Sequence, residues 1–448
     1  MSTEHPLTPF DQFMVLDGRP GYPMCFFIEA DVEGPVDQPQ FVAAVARAAD
    51  RHPRVRSRIA SRNGRLVWLP PDRLPQVEWF PCQSGDTASA STPPPWRPID
   101  LRQEAGVRLV AREVAPQAWQ VTLMVHHAVC DGLAAIEFMG DIWSCYHGAT
   151  PAPFRQSVGQ RGQPAATPQA PAPQSLAREA LSFATFFPQP IGSGPNADQN
   201  QHQPSVLSPP YVSVALSRDL TASVRARAAA AGCTVNDVVV AAVMRGIVAW
   251  NAEAGRPARG VRITMPCSLK PPGQRAPAVN DMSYAFLDRT AQQCQSAAGL
   301  VRSIGAASRW IQEQRAAEGF LHTLAAMARV PRLLWMLTRL PICLSTAVVS
   351  NVGNVGARMR ANVPKVDGCD LPGNLRLSAL RGVPPLRPRT RLSVGITHYS
   401  AQLHLTFLCD SAALGPLASQ RVVGLVQAAI LETAEALSRS PDEAGAFP

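Results

Sequence analysis

Residues 119–132 read WQVTLMVHHAVCDG. The run 119–125 has strand character, and it feeds directly into His126 and His127. Side chains along a strand alternate faces, so the two imidazoles cannot point the same way. One can face a cleft while the other packs inward. Asp131 follows His127 by four residues, across a turn, and Gly132 opens a stretch of helical period that runs to 146. The segment thus offers an imidazole at a cleft, a carboxylate able to fix the local backbone, and a glycine that admits a substrate closely. A neutral histidine is a competent general base near pH 7, suited to taking a proton from a hydroxyl or amine that attacks an acyl group. Two other roles stay open for the pair alone. It fits packed, hydrogen-bonded structural histidines, and it fits a metal site poorly, because adjacent histidines with a distant Asp are weak ligand spacing.

Working outward, 22–32 reads as a strand and 40–50 as a helix stopped at His52-Pro53. The runs 107–113 and 119–125 read as a hairpin. Beyond the linker, 212–216 reads as a strand and 217–231 as a helix ended by Gly232. The run 234–250 reads as a strongly apolar helix with Thr234 as N-cap. Further strands fit 261–266, 282–287, 346–350, 392–397 and 403–408, and a final helix fits 417–437. Residues 151–205 are rich in Pro, Gln and Ala with little periodicity, the composition of a linker. A short apolar patch at 181–187 interrupts it and could dock on a folded surface. The expected organisation is an N-terminal lobe over 1–150, the linker over 151–205 and a C-terminal lobe over 206–448. A cleft between two α/β lobes is a common place for ligands.

Composition bounds the function. The 448 residues are 46% hydrophobic and 17% charged, enough apolar material for a large core and too little charge for a disordered chain. The net charge is +9, and only Lys270 and Lys365 among the 42 cations are lysines. The arginines are scattered, and no zinc-finger, RNP-like or basic-zipper pattern is present, so nucleic acid is not the expected partner. None of the ten cysteines forms a CxxC pair, which leaves a structural zinc site without support. The first ten residues lack a charged n-region and an apolar h-region, so the expected setting is cytoplasmic, with reduced thiols. The run 333–349 is broken by Arg339 and Pro341 and reads as a helix followed by a strand rather than an integral span. Peripheral membrane contact through that helix is a further expectation.

HHAVCDG resembles the HHxxxDG motif of the chloramphenicol-acetyltransferase-like superfamily. That group includes peptide-synthetase condensation domains and wax ester synthase/diacylglycerol acyltransferases. The surroundings agree. Residues 98–101 (PIDL) and 107–109 resemble the strand pair that precedes the motif in condensation domains. The stretches 234–240 (TVNDVVV), 265–272 (MPCSLKPP) and 349–353 (VSNVG) resemble three segments of wax ester synthases, and 394–410 resembles their closing strand pair. The likeness covers nearly the whole chain outside the linker. It departs in two places: the DFGWG-type latch of condensation domains has no clear counterpart, and 352–354 lacks the wax-ester Pro-Gly-Pro turn.

The resemblance implies an α/β (α+β) fold of two chloramphenicol-acetyltransferase-like lobes, a pseudo-dimer with a central tunnel. It implies an acyltransferase that moves an acyl group from acyl-CoA or an acyl carrier protein to an alcohol or amine, forming an ester or amide. No metal, cofactor or covalent enzyme intermediate is implied. His127 is then the catalytic base, His126 a packed neighbour, Gly132 part of the motif, and Asp131 a structural residue paired with a cation of the other lobe. The family places an arginine where this chain has Lys270, so Lys270, or failing it Arg262, is expected to face Asp131. Ser350 and Asn351 end a strand expected to line the tunnel, where they could stabilise an oxyanion. Asn236 opens a helix, where a substrate-channel role and plain helix-start chemistry stand even. A monomer is expected. The alternatives are a non-catalytic module that binds a carrier or partner, and a membrane-peripheral wax ester or triacylglycerol synthase.

Overall fold

The computed structural model describes residues 4–82, 97–155, 186–194, 211–257, 259–271, 273–330 and 332–438. Most of the 151–205 linker, including positions 181–185 of its apolar patch, lies outside the described residues.

Ala118–His126 is the central strand of a five-stranded sheet. Cys25–Glu33 and Val107–Ala115 flank it, both antiparallel. Every side chain from Val121 to His126 is buried, and the strand ends where the two imidazoles begin. Gln76–Phe80 forms one edge of the sheet, parallel to its neighbour. Gln38–Arg51 and Gly132–Tyr146 bury their apolar faces in the same core. Burial of this kind drives the lobe together, because apolar area removed from water contributes about 25 cal/mol per Å².

The second sheet has six strands, ordered Met282–Thr290, Gly260–Ser268, Ala347–Asn354, Leu392–Tyr399, Gln402–Cys409 and Tyr211–Ala215. Val235–Glu253, Ala297–Glu313 and Ser411–Ala436 pack in its core. Thr234 caps Val235–Glu253 through a reciprocal capping box with Asp237. Val235–Glu253 and Ser411–Ala436 are long and apolar enough to cross a membrane by length and composition. Here they meet each other at Gly246, where a Cβ would strike Val426.

The boundary expected at the linker does not separate the two sheets. The fifth strand of the N-terminal sheet is Arg376–Val383, which pairs antiparallel with Cys25–Glu33. Its apolar residues Leu377, Leu380 and Val383 belong to the N-terminal core. It also lies against the second sheet: Thr397 donates to the Leu380 carbonyl at 3.0 Å, and Thr406 donates to the Gly382 carbonyl. Gly395 is the point of closest approach, because a Cβ there would overlap the Gly382 carbonyl. The chain after the linker therefore supplies an edge to the lobe before it.

Candidate active site

His126 is the last residue of its strand, in register with Cys25. The His127 N–H donates to the Met24 carbonyl at 2.7 Å, which prolongs the pairing by one position. The chain then turns, with the Val129 N–H on the His126 carbonyl at 2.8 Å. His126 Nδ1 accepts the Ala128 N–H at 3.1 Å, so that ring is a neutral Nε2–H tautomer locked into its own turn. Burial, and then the neighbouring His127, push its pKa down to about 3. His126 does not line the cavity between the lobes.

His127 points the other way. It lines that cavity, which has a volume of about 1520 Å³ and is bounded by both lobes, larger than the roughly 300–1000 Å³ of most small-ligand sites. The edge of Phe26 packs on its ring at 5.0 Å between centroids. Nδ1 is enclosed without a well-formed hydrogen bond. Burial pushes the His127 pKa below the ordinary histidine range. The residue's own carbonyl, the Asp131 carboxylate, the Asn280 side chain and Asp11 pull the other way. The net result is a neutral imidazole at pH 7, ready to accept a proton.

Asp131 is the N-cap of Gly132–Tyr146. Its Oδ1 accepts the Ala134 N–H at 2.9 Å, and its Oδ2 accepts the Asp281 N–H of the second lobe at 2.9 Å. Asn280 completes the same stitch. Its Nδ2 lies within hydrogen-bond distance of the His127 and Ala128 carbonyls, at 2.8 and 3.0 Å, and of Asp11 Oδ1 at 3.0 Å. The turn that carries His127 is thus held from the opposite lobe by residues 280 and 281.

The expected cation for Asp131 is not there. Lys270 does cross between the lobes, but its Nζ pairs with Glu137 Oε2 at 3.6 Å. Glu137 lies six residues, about 9 Å, further along the helix that Asp131 caps. Arg262 faces Asp288, its register partner on the adjacent strand, through a fork of 2.7 and 2.9 Å. Backbone N–H groups satisfy Asp131 instead, so no buried charge is left needing a counter-ion.

Gly132, Asn236, Ser350 and Asn351 all line the cavity, as does Arg262. The two amides are tied to each other: Asn351 Nδ2 donates to Asn236 Oδ1 at 3.3 Å, and Asn351 Oδ1 accepts the Gly353 N–H at 2.8 Å. A Cβ at Gly132 would meet Val352 at 3.4 Å, an ordinary contact, so packing against this wall does not itself demand a glycine. Among the described residues no group of three His, Cys, Asp or Glu side chains is placed to hold a metal ion.

Four residues that sequence reasoning passed over hold the lobes together: Glu137, Asp141, Arg275 and His52. Arg275 pairs with Asp141 in full burial. Arg51 Nε and His52 Nε2 reach the other Asp141 oxygen at 2.9 and 3.0 Å. The signal for them lay in the helix 132–146. Glu137 and Asp141 are four apart in an otherwise apolar helix, so they share a face and need partners. The stretch 268–275, SLKPPGQR, supplies Lys270 and Arg275 to meet them.

No family model matches the chain, and no curated protein matches it in sequence. Solved structures do match its fold. The first condensation domain of the calcium-dependent antibiotic synthetase, in complex with a substrate analogue, superposes with a TM-score of 0.68 at 17% identity, over 98% of this chain and 97% of that one. The epimerization domain from the third module of tyrocidine synthetase B gives 0.65 at 13% identity, over 98% and 99%. A mutant starter condensation domain of rhizomide synthetase, in complex with C8-CoA and Leu-SNAC, gives 0.65 at 14% identity, over 98% and 98%. The chain has the condensation-domain fold over nearly its whole length. Its likeness to wax ester synthases rests on sequence segments alone.

Proposed function

We propose that the protein transfers an acyl group from a thioester, on CoA or on a carrier protein, to an alcohol or amine. The observation that carries this reading is the His pair: one imidazole locked in its turn, the other neutral and presented to a cavity between the lobes. His127 Nε2 takes the proton from the acceptor O–H or N–H as its oxygen or nitrogen attacks the thioester carbonyl. The tetrahedral oxyanion collapses, the C–S bond breaks, and the imidazolium returns the proton to the leaving thiolate. The wall formed by Ser350 and the Asn351–Asn236 pair is the side from which polar groups stabilise the oxyanion.

The test is mass spectrometry of the purified protein with a panel of acyl-CoAs, acylated carriers and candidate acceptors. The consumed thioester names the donor. His127→Ala is expected to keep the parent melting temperature and to lose turnover by about 100-fold or more, the usual contribution of a positioned base. In the parent enzyme, kcat/KM falls as pH drops through a His127 pKa below the ordinary histidine value, because protonation removes the base. An acid limb unchanged in His127→Ala, or full turnover in that variant, would remove His127 from the mechanism.

A further inference from the structure

Residues 319–366 contain six cations, Arg329, Arg332, Arg339, Arg358, Arg360 and Lys365, and no Asp or Glu. The first part of this stretch forms the helices Glu318–Ala328 and Leu333–Arg339, which pack beside Pro9–Asp17. Leu334 and Thr338 are buried beneath them. On the outer side, Val330, Trp335, Met336, Leu340 and Ile342 are each between 47% and 54% exposed. These are five of the twelve large apolar side chains exposed among the described residues, gathered within thirteen positions. Scattered exposed apolar residues are ordinary, but a cluster marks a docking surface.

The chemistry of the cluster selects its partner. Arg329, Arg332 and Arg339 are exposed among the apolar side chains, and the Arg339 guanidinium lies 6.0 Å from the centre of the Trp335 ring. The acids on the neighbouring elements are unavailable to balance them. Asp11, Asp17 and Glu318 are all buried and are paired with Arg54, Arg387 and Arg315. What remains is an apolar, Trp-bearing face ringed by uncompensated cations, complementary to lipid headgroups that carry negative charge. The inner side of the same helices is also informative. Phe320, Leu324, Met327 and Leu337, with Leu344, line the cavity that contains His127.

We propose that this face docks on an anionic lipid bilayer, and that the apolar wall behind it receives an alkyl-bearing substrate from that surface. The docking stands by itself; only the delivery of substrate rests on the acyl-transfer reading. The experiment is flotation of the full chain with vesicles of phosphatidylglycerol and phosphatidylcholine in equal parts, against vesicles of phosphatidylcholine alone. The protein floats with the anionic vesicles, and high salt weakens the association. Trp335→Glu with Met336→Glu, and separately Arg332→Glu with Arg339→Glu, lower the bound fraction by about tenfold or more while leaving the melting temperature unchanged, since all four side chains are exposed. His127→Ala floats like the parent, so failed acyl transfer and failed docking are read separately. The proposal is overturned if anionic vesicles do not bind the protein, or if both double variants float like the parent. It is equally overturned if the variants leave flotation intact but abolish self-association or binding of an acylated carrier protein, which would make this face a protein interface.

Discussion

Asp131 and Asp141 stand near opposite ends of one helix, and both reach across the lobe boundary, yet they are satisfied in different ways. Asp131 accepts two backbone N–H groups, one from its own helix and one from Asp281. Asp141 is met by two guanidinium groups and an imidazole. Burial raises the Asp141 carboxyl, but the hydrogen bond from His52 and the charge of Arg275 outweigh it and hold it below the usual carboxylate range. His52 Nδ1 accepts the Ala278 N–H at 2.9 Å, so its Nε2 carries the proton given to Asp141, and the ring is neutral. The Phe154 ring packs against Arg51, at 4.7 Å to its centre, and against Arg275 at 5.6 Å. One end of the helix is therefore fastened by charge and closed off. The other is fastened by neutral donors, beside the cavity that His127 lines.

This contrast predicts an order of effects. The largest belongs to the charged end. Asp141→Ala leaves Arg275, only 1% exposed at its side chain, without its counter-ion. Breaking a buried pair by removing one partner costs about 3–5 kcal/mol, so the melting temperature of this variant drops further than that of Asp131→Ala or Lys270→Met. Asp141→Asn keeps the acceptor for His52 and recovers part of the loss. A variant with parent-like stability would mean that the charged cluster does not fasten the lobes.

The neutral end comes next. Asp131→Ala removes an N-cap, worth about 1 kcal/mol, and orphans the Asp281 N–H at a further cost of about 1–3 kcal/mol. Its stability loss is smaller than that of Asp141→Ala, but its loss of turnover is larger than its stability loss explains, because the turn carrying His127 loosens. Measurement of kcat at a temperature where both variants are fully folded separates the two effects. Equal kcat in the two variants would erase the distinction between the ends.

Much of this architecture was legible in the sequence, and the exceptions share a cause. The strand 119–125, the helix 132–146, the capped helix 234–250 and the strands about 261, 282, 347, 392 and 403 were readable, since each element buries one face with the period of its own geometry. The His pair was readable for the same reason, because alternation forces the two rings apart. What escaped was pairing between distant segments. Arg376–Val383 carries the apolar pattern of a strand, but nothing local says that it joins the sheet on the far side of the linker. Lys270 was recognisable as an interface cation, whereas its choice of Glu137 over Asp131 depends on where the strand before it ends relative to the helix. Asn280 has no local signature at all. Its role arises only because the second lobe brings it beneath the His127 turn.

The smallest effect sharpens the comparison most. Lys270 and Glu137 are 3.6 Å apart with no hydrogen bond between them, and their side chains are 7% and 8% exposed. Glu137 is already raised above the ordinary glutamate range, because burial outweighs the pull of Lys270. Lys270→Met removes that pull, so the Glu137 pKa rises further in the folded state. A folded carboxyl whose pKa lies above its unfolded value holds a proton that the unfolded chain releases, and stability is lost as pH rises above the unfolded value. Near pH 5, where Glu137 can take up a proton and shed its buried charge, the variant therefore loses least, and the deficit grows toward pH 8. Lys270 does not line the cavity, so turnover by the folded variant stays at the parent level. Denaturant melts across this pH range check the slope. If Lys270→Met instead matched Asp131→Ala in lost turnover at every pH, the lysine would be serving Asp131, and the neutral end of the helix would be charged after all.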